Sequence, residues 1–116
     1  DTLMSSADTT RSYTPAGDPW HLSKQFTIYK GGTLRIKFNA WQGEGTQCYA
    51  RIYRNGSAVG AQWSLTTSEA TYPEDISGWS PGDTIELWYW GDGVQLNLKN
   101  FRVYVSEWEG ISVDAD

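Results

Sequence analysis

The chain has 116 residues, a formal net charge of −5, a single cysteine, and seven tryptophans beside seven tyrosines and twelve glycines. That length fits one domain on the usual scale of about 100–150 residues, large enough to bury a core without disulfides or metal. Lone Cys48 excludes an intramolecular disulfide and a cysteine-rich zinc site, the nine scattered basic residues argue against nucleic-acid binding, and no apolar run nears the roughly 18 residues of a membrane span. The aromatic, glycine-rich composition is common in extracellular binding and structural modules. An opening at Asp1, with no initiator methionine or signal peptide, reads as a processed or excised piece.

Thr2 to Tyr13 is a polar arm or edge strand, free to pair with its own sheet or with a neighbouring subunit. Thr14 to Pro19 is a loop, by its two prolines and glycine. From Trp20 to Tyr29 a strand alternates Trp20, Leu22, Phe26 and Ile28 against polar residues, with Lys24 breaking the apolar phase. Thr33 to Trp41 alternates most cleanly: Leu34, Ile36, Phe38 and Ala40 face a core, while Arg35, Lys37 and Asn39 face solvent. Gln47 to Arg54 turns Cys48, Ala50 and Ile52 inward and Tyr49, Arg51 and Tyr53 outward, which makes Cys48 a buried, inert thiol.

Asn55-Gly56 is the strongest hairpin signal in the chain, and Ala58 to Thr66 returns as a strand. Ala70 to Ile76 contains Pro73 and reads as an edge strand. Ser77 to Gly82 reads as a turn. Asp83 to Val105 carries the most apolar surface and reads as two long strands joined tightly by Gly91-Asp92-Gly93. On the first, Ile85, Leu87 and Tyr89 oppose Glu86, Trp88 and Trp90. On the second, the apolar phase slips at Lys99-Asn100, as at a β-bulge. Ser106 to Asp116 is an acidic tail or terminal strand. With no 3.6-residue period anywhere, the expectation is one all-β domain over 1–116. It is an antiparallel, jelly-roll-like β-sandwich of about eight strands.

The segments SADTTRS after Asp1-Thr2-Leu3, then GGTLRIKF, ARIYRNGSAVG, EDISGWSPGDTIELW and LKNFRVYV stand in an order that resembles a β-sandwich module of phage and prophage tail-associated and fibre-like proteins. The resemblance spans about residues 1 to 105. It implies a structural, oligomer-forming or surface-attaching module without catalysis. The chain departs from that pattern in its richness in tryptophan, at Trp20, Trp41, Trp63, Trp79, Trp88 and Trp90.

Chemistry enters through the outward aromatic residues. Trp88 and Trp90 share a face with Glu86, and Tyr49, Arg51 and Tyr53 share another, so neighbouring strands would form one aromatic and polar platform. Flat sugar faces stack on such rings, and subunit interfaces use the same residue types. Glycoside hydrolysis needs two carboxylates about 5–10 Å apart; Glu44, Glu69, Glu74, Asp75, Asp83 and Glu86 mostly fall in expected turns, where acids serve the turn. His21 is the only histidine, which removes histidine triads and multi-histidine metal sites. The acidic turns at Glu74-Asp75 and Gly91-Asp92-Gly93 lack a full calcium-loop motif. Asn55-Gly56-Ser57 matches a glycosylation acceptor but coincides with the hairpin turn.

The leading expectation is a non-enzymatic, self-associating module of an extracellular or virion assembly, a trimer or filament, with no cofactor. The alternatives are a carbohydrate-binding module that meets a cell-surface polysaccharide through the aromatic face, and a cellular filament subunit joined by strand exchange.

Overall fold

The computed structural model describes residues 2–105. They form β1 (Thr2–Ala7), β2 (Arg11–Tyr13), β3 (His21–Thr27), β4 (Gly32–Gln42), β5 (Cys48–Arg54), β6 (Ser57–Ala58), β7 (Trp63–Ser64), β8 (Ala70–Trp79), β9 (Thr84–Gly91) and β10 (Leu96–Val105). One sheet runs β1-β10-β4-β8, with β2 also on β10; the other runs β3-β9-β5-β6, with β7 also on β5. Every pairing is antiparallel. The ten strands exceed the expected eight because β2, β6 and β7 are fragments of only two or three residues. The acidic segment 106–116 lies outside the described residues.

Alternation builds the core as the pattern predicts. Leu34, Ile36, Phe38 and Ala40 of β4 and Cys48, Ala50 and Ile52 of β5 are fully buried, as are Ile85 and Leu87 of β9. Burial also pushes the Cys48 thiol above its ordinary range. The slip on β10 is a bulge: the register shifts between Lys99 and Arg102, and Asn100 takes φ 53°. Both sides of the slip therefore stay inward, Leu96 and Leu98 before it and Phe101 and Val103 after it. The Asn55-Gly56 turn joins β5 to β6, with φ 49° and 84°, as a two-residue hairpin needs.

The expected long hairpin does not form. β9 and β10 lie in different sheets, and the chain crosses the sandwich between them. The physical reason is that both strands carry large apolar faces. Side by side they would expose one common face; in opposite sheets the two faces bury each other. Gly91 to Gly93 pair instead with the loop before β3. Gly17 N–H donates to the Gly91 carbonyl at 2.8 Å, and Gly93 N–H to the Pro15 carbonyl at 2.7 Å. A Cβ on Gly91 would meet Pro15 Cγ at 2.8 Å, so that loop is seated against a residue without a side chain.

Three smaller expectations are corrected. Ser77 to Trp79 continue β8 rather than turning, because Trp79 is buried; the turn is Ser80 to Gly82. Ala58 to Thr66 is not one strand. Val59 and Gly60 both donate to the Ile52 carbonyl, and the chain leaves the sheet until Trp63. Trp20 and Leu22 do not share a face with Phe26. A bulge between Leu22 and Lys24 moves them outward and turns Lys24 inward, where it is 7% exposed and donates to the carbonyls of Ala7 and Thr9. Burial pushes the Lys24 ammonium below its ordinary range. The arm is β1 and β2, both paired with β10 of the same chain.

Phe101 of one sheet stacks on Phe26 of the other at 4.9 Å between ring centres. Phe101→Ala should lower unfolding free energy by about 3–5 kcal/mol, the usual scale for a buried phenylalanine. Urea denaturation reads this directly, and a loss under about 1 kcal/mol would contradict the inter-sheet packing described.

Three exposed carboxyl groups contribute to the acid limb of stability. Hydrogen bonds from Arg102 hold the Asp8 carboxyl below its usual range, and those from Arg35 do the same for Asp75. Asp83 is lowered by the Ser80 amide and then by Asn55. A depressed folded-state pKa gives stability that is complete above the unfolded value, near about pH 4, and is lost as pH falls through the folded value. The thermal midpoint should therefore hold from pH 7 to about 5 and fall below about 4, with a shallower fall in Asp75→Asn. A midpoint unchanged down to about pH 2 would refute this.

Candidate functional site

Once Ile85, Leu87 and Tyr89 face the core, period two sends Glu86, Trp88 and Trp90 to the outer face of the sheet. On β5 the same rule sends out Tyr49, Arg51 and Tyr53. The two strands are neighbours in a register that sets Tyr49 opposite Trp90, Arg51 opposite Trp88 and Tyr53 opposite Glu86. All six residues singled out in the sequence thus meet on one surface.

The rings there are in contact. Tyr53 stacks on Trp88 with centres 4.7 Å apart and planes 17° apart, and Tyr49 meets Trp90 at 5.5 Å. Such pairs hold one another in orientation beyond simple area burial. The polar groups are also fixed. Trp88 Nε1–H donates to Glu86 Oε1 at 2.9 Å, and the Gly56 amide donates to the same oxygen at 3.2 Å. Glu86 itself is only 6% exposed. Arg51 Nε–H donates to the Gly60 carbonyl at 2.7 Å.

Two further residues belong to this surface and were not expected there. Trp20 lies 6.4 Å from Tyr49 and 6.3 Å from Tyr53, so its ring stands equally near the two tyrosines that flank Arg51. Asp18 accepts from Trp90 Nε1–H at 2.8 Å. Both come from the loop held against Gly91 to Gly93. The signal for Trp20 was the out-of-phase Lys24: a bulge there sends Trp20 and Leu22 outward. Asp18 left no signal, because its role is set by where the loop is seated.

The remaining tryptophans of the described residues serve elsewhere. Trp79 is buried, Trp63 packs on the core against Tyr72, and Trp41 lies under the Lys99 ammonium on the other sheet. That other outer face carries a shallow groove lined by Arg35, Lys37, Thr71, Pro73, Glu74 and Asp75. There Arg35 and Asp75 form a bidentate pair, Lys37 lies over the Tyr104 ring and Glu74 accepts from the Ala61 amide.

The carboxylates weighed for hydrolysis are dispersed. Glu74 and Asp75 lie within β8 rather than in a turn. Glu74 accepts from the Ala61 amide, and Glu69 pairs with Lys99 and Asn39. Asp83 holds its own turn through the Ser80 amide. Glu86 and Asp18 are the acids of the aromatic face, and each already accepts an indole N–H. Among the described residues no group of three or more histidine, cysteine or acidic side chains is placed to hold a metal ion.

No protein-family model matches the chain, and no curated protein matches it in sequence. Solved structures do match in fold. The carbohydrate-binding module CBM4 superposes with TM-score 0.62 at 14% identity, covering 88% of this chain and 76% of its own. The EclA C-terminal domain, a sugar-binding protein, gives 0.62 at 8% identity, with 84% and 78% covered. The N-terminal cellulose-binding domain of Cellulomonas fimi β-1,4-glucanase C gives 0.56 at 16% identity, with 80% and 76% covered. The chain therefore has the jelly-roll β-sandwich fold of these domains.

Proposed function

We propose that this chain is a non-enzymatic, extracellular carbohydrate-binding module that holds a polysaccharide on the outer face of the β3-β9-β5 sheet. One observation carries the reading: Tyr49, Tyr53, Trp88, Trp90 and Trp20 stand together, partly exposed, where an antiparallel sheet ordinarily presents polar residues. Rings fixed by neighbours and by indole hydrogen bonds lose little freedom on binding, which favours affinity. Arg51, Glu86 and Asp18 supply donors and acceptors for sugar hydroxyls beside the stacking surfaces. Similarity of fold to several sugar-binding domains supports this reading over the self-associating assembly module.

The assembly reading, including a phage tail or fibre component, stays as the second proposal. An exposed aromatic cluster also suits a subunit interface, and Leu22 beside it is 40% exposed.

The two readings separate cleanly. A carbohydrate module runs as a monomer on a sizing column with light scattering, and its tryptophan fluorescence shifts when soluble polysaccharide is added. Trp88→Ala and Trp90→Ala should each weaken polysaccharide binding by about thirty-fold or more, the scale of an interface hot spot, with an unchanged far-ultraviolet circular dichroism spectrum. An oligomer that both substitutions dissociate, with no response to any polysaccharide, would establish the assembly module instead.

A further inference from the structure

The aromatic face contains a cation, Arg51, whose charge no described residue matches. Among the described residues Arg35 makes two bonds to Asp75 and Arg102 two to Asp8, while Arg54 donates to the Gly78 carbonyl and lies over the Trp79 ring. Arg51 has no carboxylate within ion-pair distance among the described residues, and its hydrogen bond there uses Nε alone. Its terminal amino groups make no hydrogen bond among the described residues. The two nearby acids do not compensate it, because Glu86 and Asp18 are turned to the indoles of Trp88 and Trp90.

Its position adds to the argument. Arg51 lies opposite Trp88, between Tyr49 and Tyr53 on its own strand, with Trp20 equally near both tyrosines. Aromatic walls lower the local dielectric and strengthen a charge-assisted bond formed inside them. A guanidinium is a planar fork that fits a carboxylate in two parallel bonds. A pyranose ring bearing a carboxylate offers both halves of the complement, a face to stack and an anion to pair.

We propose that the face takes an acidic polysaccharide, with Arg51 pairing a uronate carboxylate while the surrounding rings stack on the sugar. This deepens the carbohydrate-binding reading and rests on it. The net charge of −5 gives a polyanion no attraction at long range, so recognition is by contact at Arg51 rather than by steering.

The test is calorimetric titration of the chain with three oligosaccharides of equal length: an oligogalacturonate, its methyl ester and a neutral xylo-oligosaccharide. The free acid should bind at least about ten-fold more tightly than the ester, the scale of a hydrogen bond to a charged group. Arg51→Gln and Arg51→Lys should remove most of that preference, so that the acid and the ester bind each variant within about three-fold of one another. Equal binding of acid and ester overturns the proposal, a result that needs no variant to fold. So does an equal loss for acidic and neutral sugars in Arg51→Gln, which would make Arg51 a general contact. A sulfated oligosaccharide that binds as tightly as the uronate overturns the carboxylate assignment. Neutral binding without acid preference leaves the polysaccharide reading standing; no binding to any sugar removes both.

Discussion

The structure depends on the two-residue period of β9. Ile85 and Leu87 are wholly buried and Tyr89 nearly so. A strand cannot bury those three without presenting Glu86, Trp88 and Trp90 on its other side. β9 is flanked by β3 and β5, so those outward residues have neighbours on either hand. The aromatic face is therefore the other side of the core, set by the same register. A slip of one residue would exchange them and place two indoles where Leu87 packs. The core and the candidate site are thus held by one constraint.

The two outer faces of the sandwich show different chemistry. On the β1-β10-β4-β8 sheet three ion pairs join outward residues, Arg35 with Asp75, Lys99 with Glu69 and Arg102 with Asp8. Lys37 lies over Tyr104 and Lys99 over Trp41, which covers those rings with ammonium groups. Exposed pairs of this kind add little stability, but they leave a well-solvated surface. On the other sheet the rings cover one another, the acids serve the indoles, and Arg51 has no counter-ion among the described residues. The loop from Pro15 to Trp20 completes that side. It is bonded to Gly91 and Gly93 by its backbone, and from that anchorage it delivers Asp18 and Trp20 over the sheet.

Much of this was legible in the residues, and the errors share a cause. Alternation in Thr33 to Trp41 and Gln47 to Arg54 assigned inward and outward faces correctly, because burial of one face is a local pattern with period two. The slip at Lys99-Asn100 and the Asn55-Gly56 turn were readable for the same reason: each is a departure of the backbone written in adjacent residues. The supposed hairpin between β9 and β10 failed because period two says which residues are buried, not against which strand. A short glycine-rich link serves a turn within a sheet or a crossing between sheets. Trp20 was misassigned because a single bulge at Ser23 inverts everything before it. Lys24 announced the inversion, but a lysine at a core position was read as an interruption of the strand.

By itself the sequence determined an all-β sandwich, the inward sets of β4, β5, β9 and β10, and the six outward residues Tyr49, Arg51, Tyr53, Glu86, Trp88 and Trp90, since all of these follow from local periodicity and turn chemistry. Only the tertiary structure decided that β5 and β9 are neighbours, that β10 lies across the core from β9, and that a loop far along the chain adds Trp20 and Asp18. Those facts depend on which apolar faces bury most surface together and on where a backbone without side chains at Gly91 admits Pro15. Such choices are made among distant segments, and no window of neighbouring residues contains them.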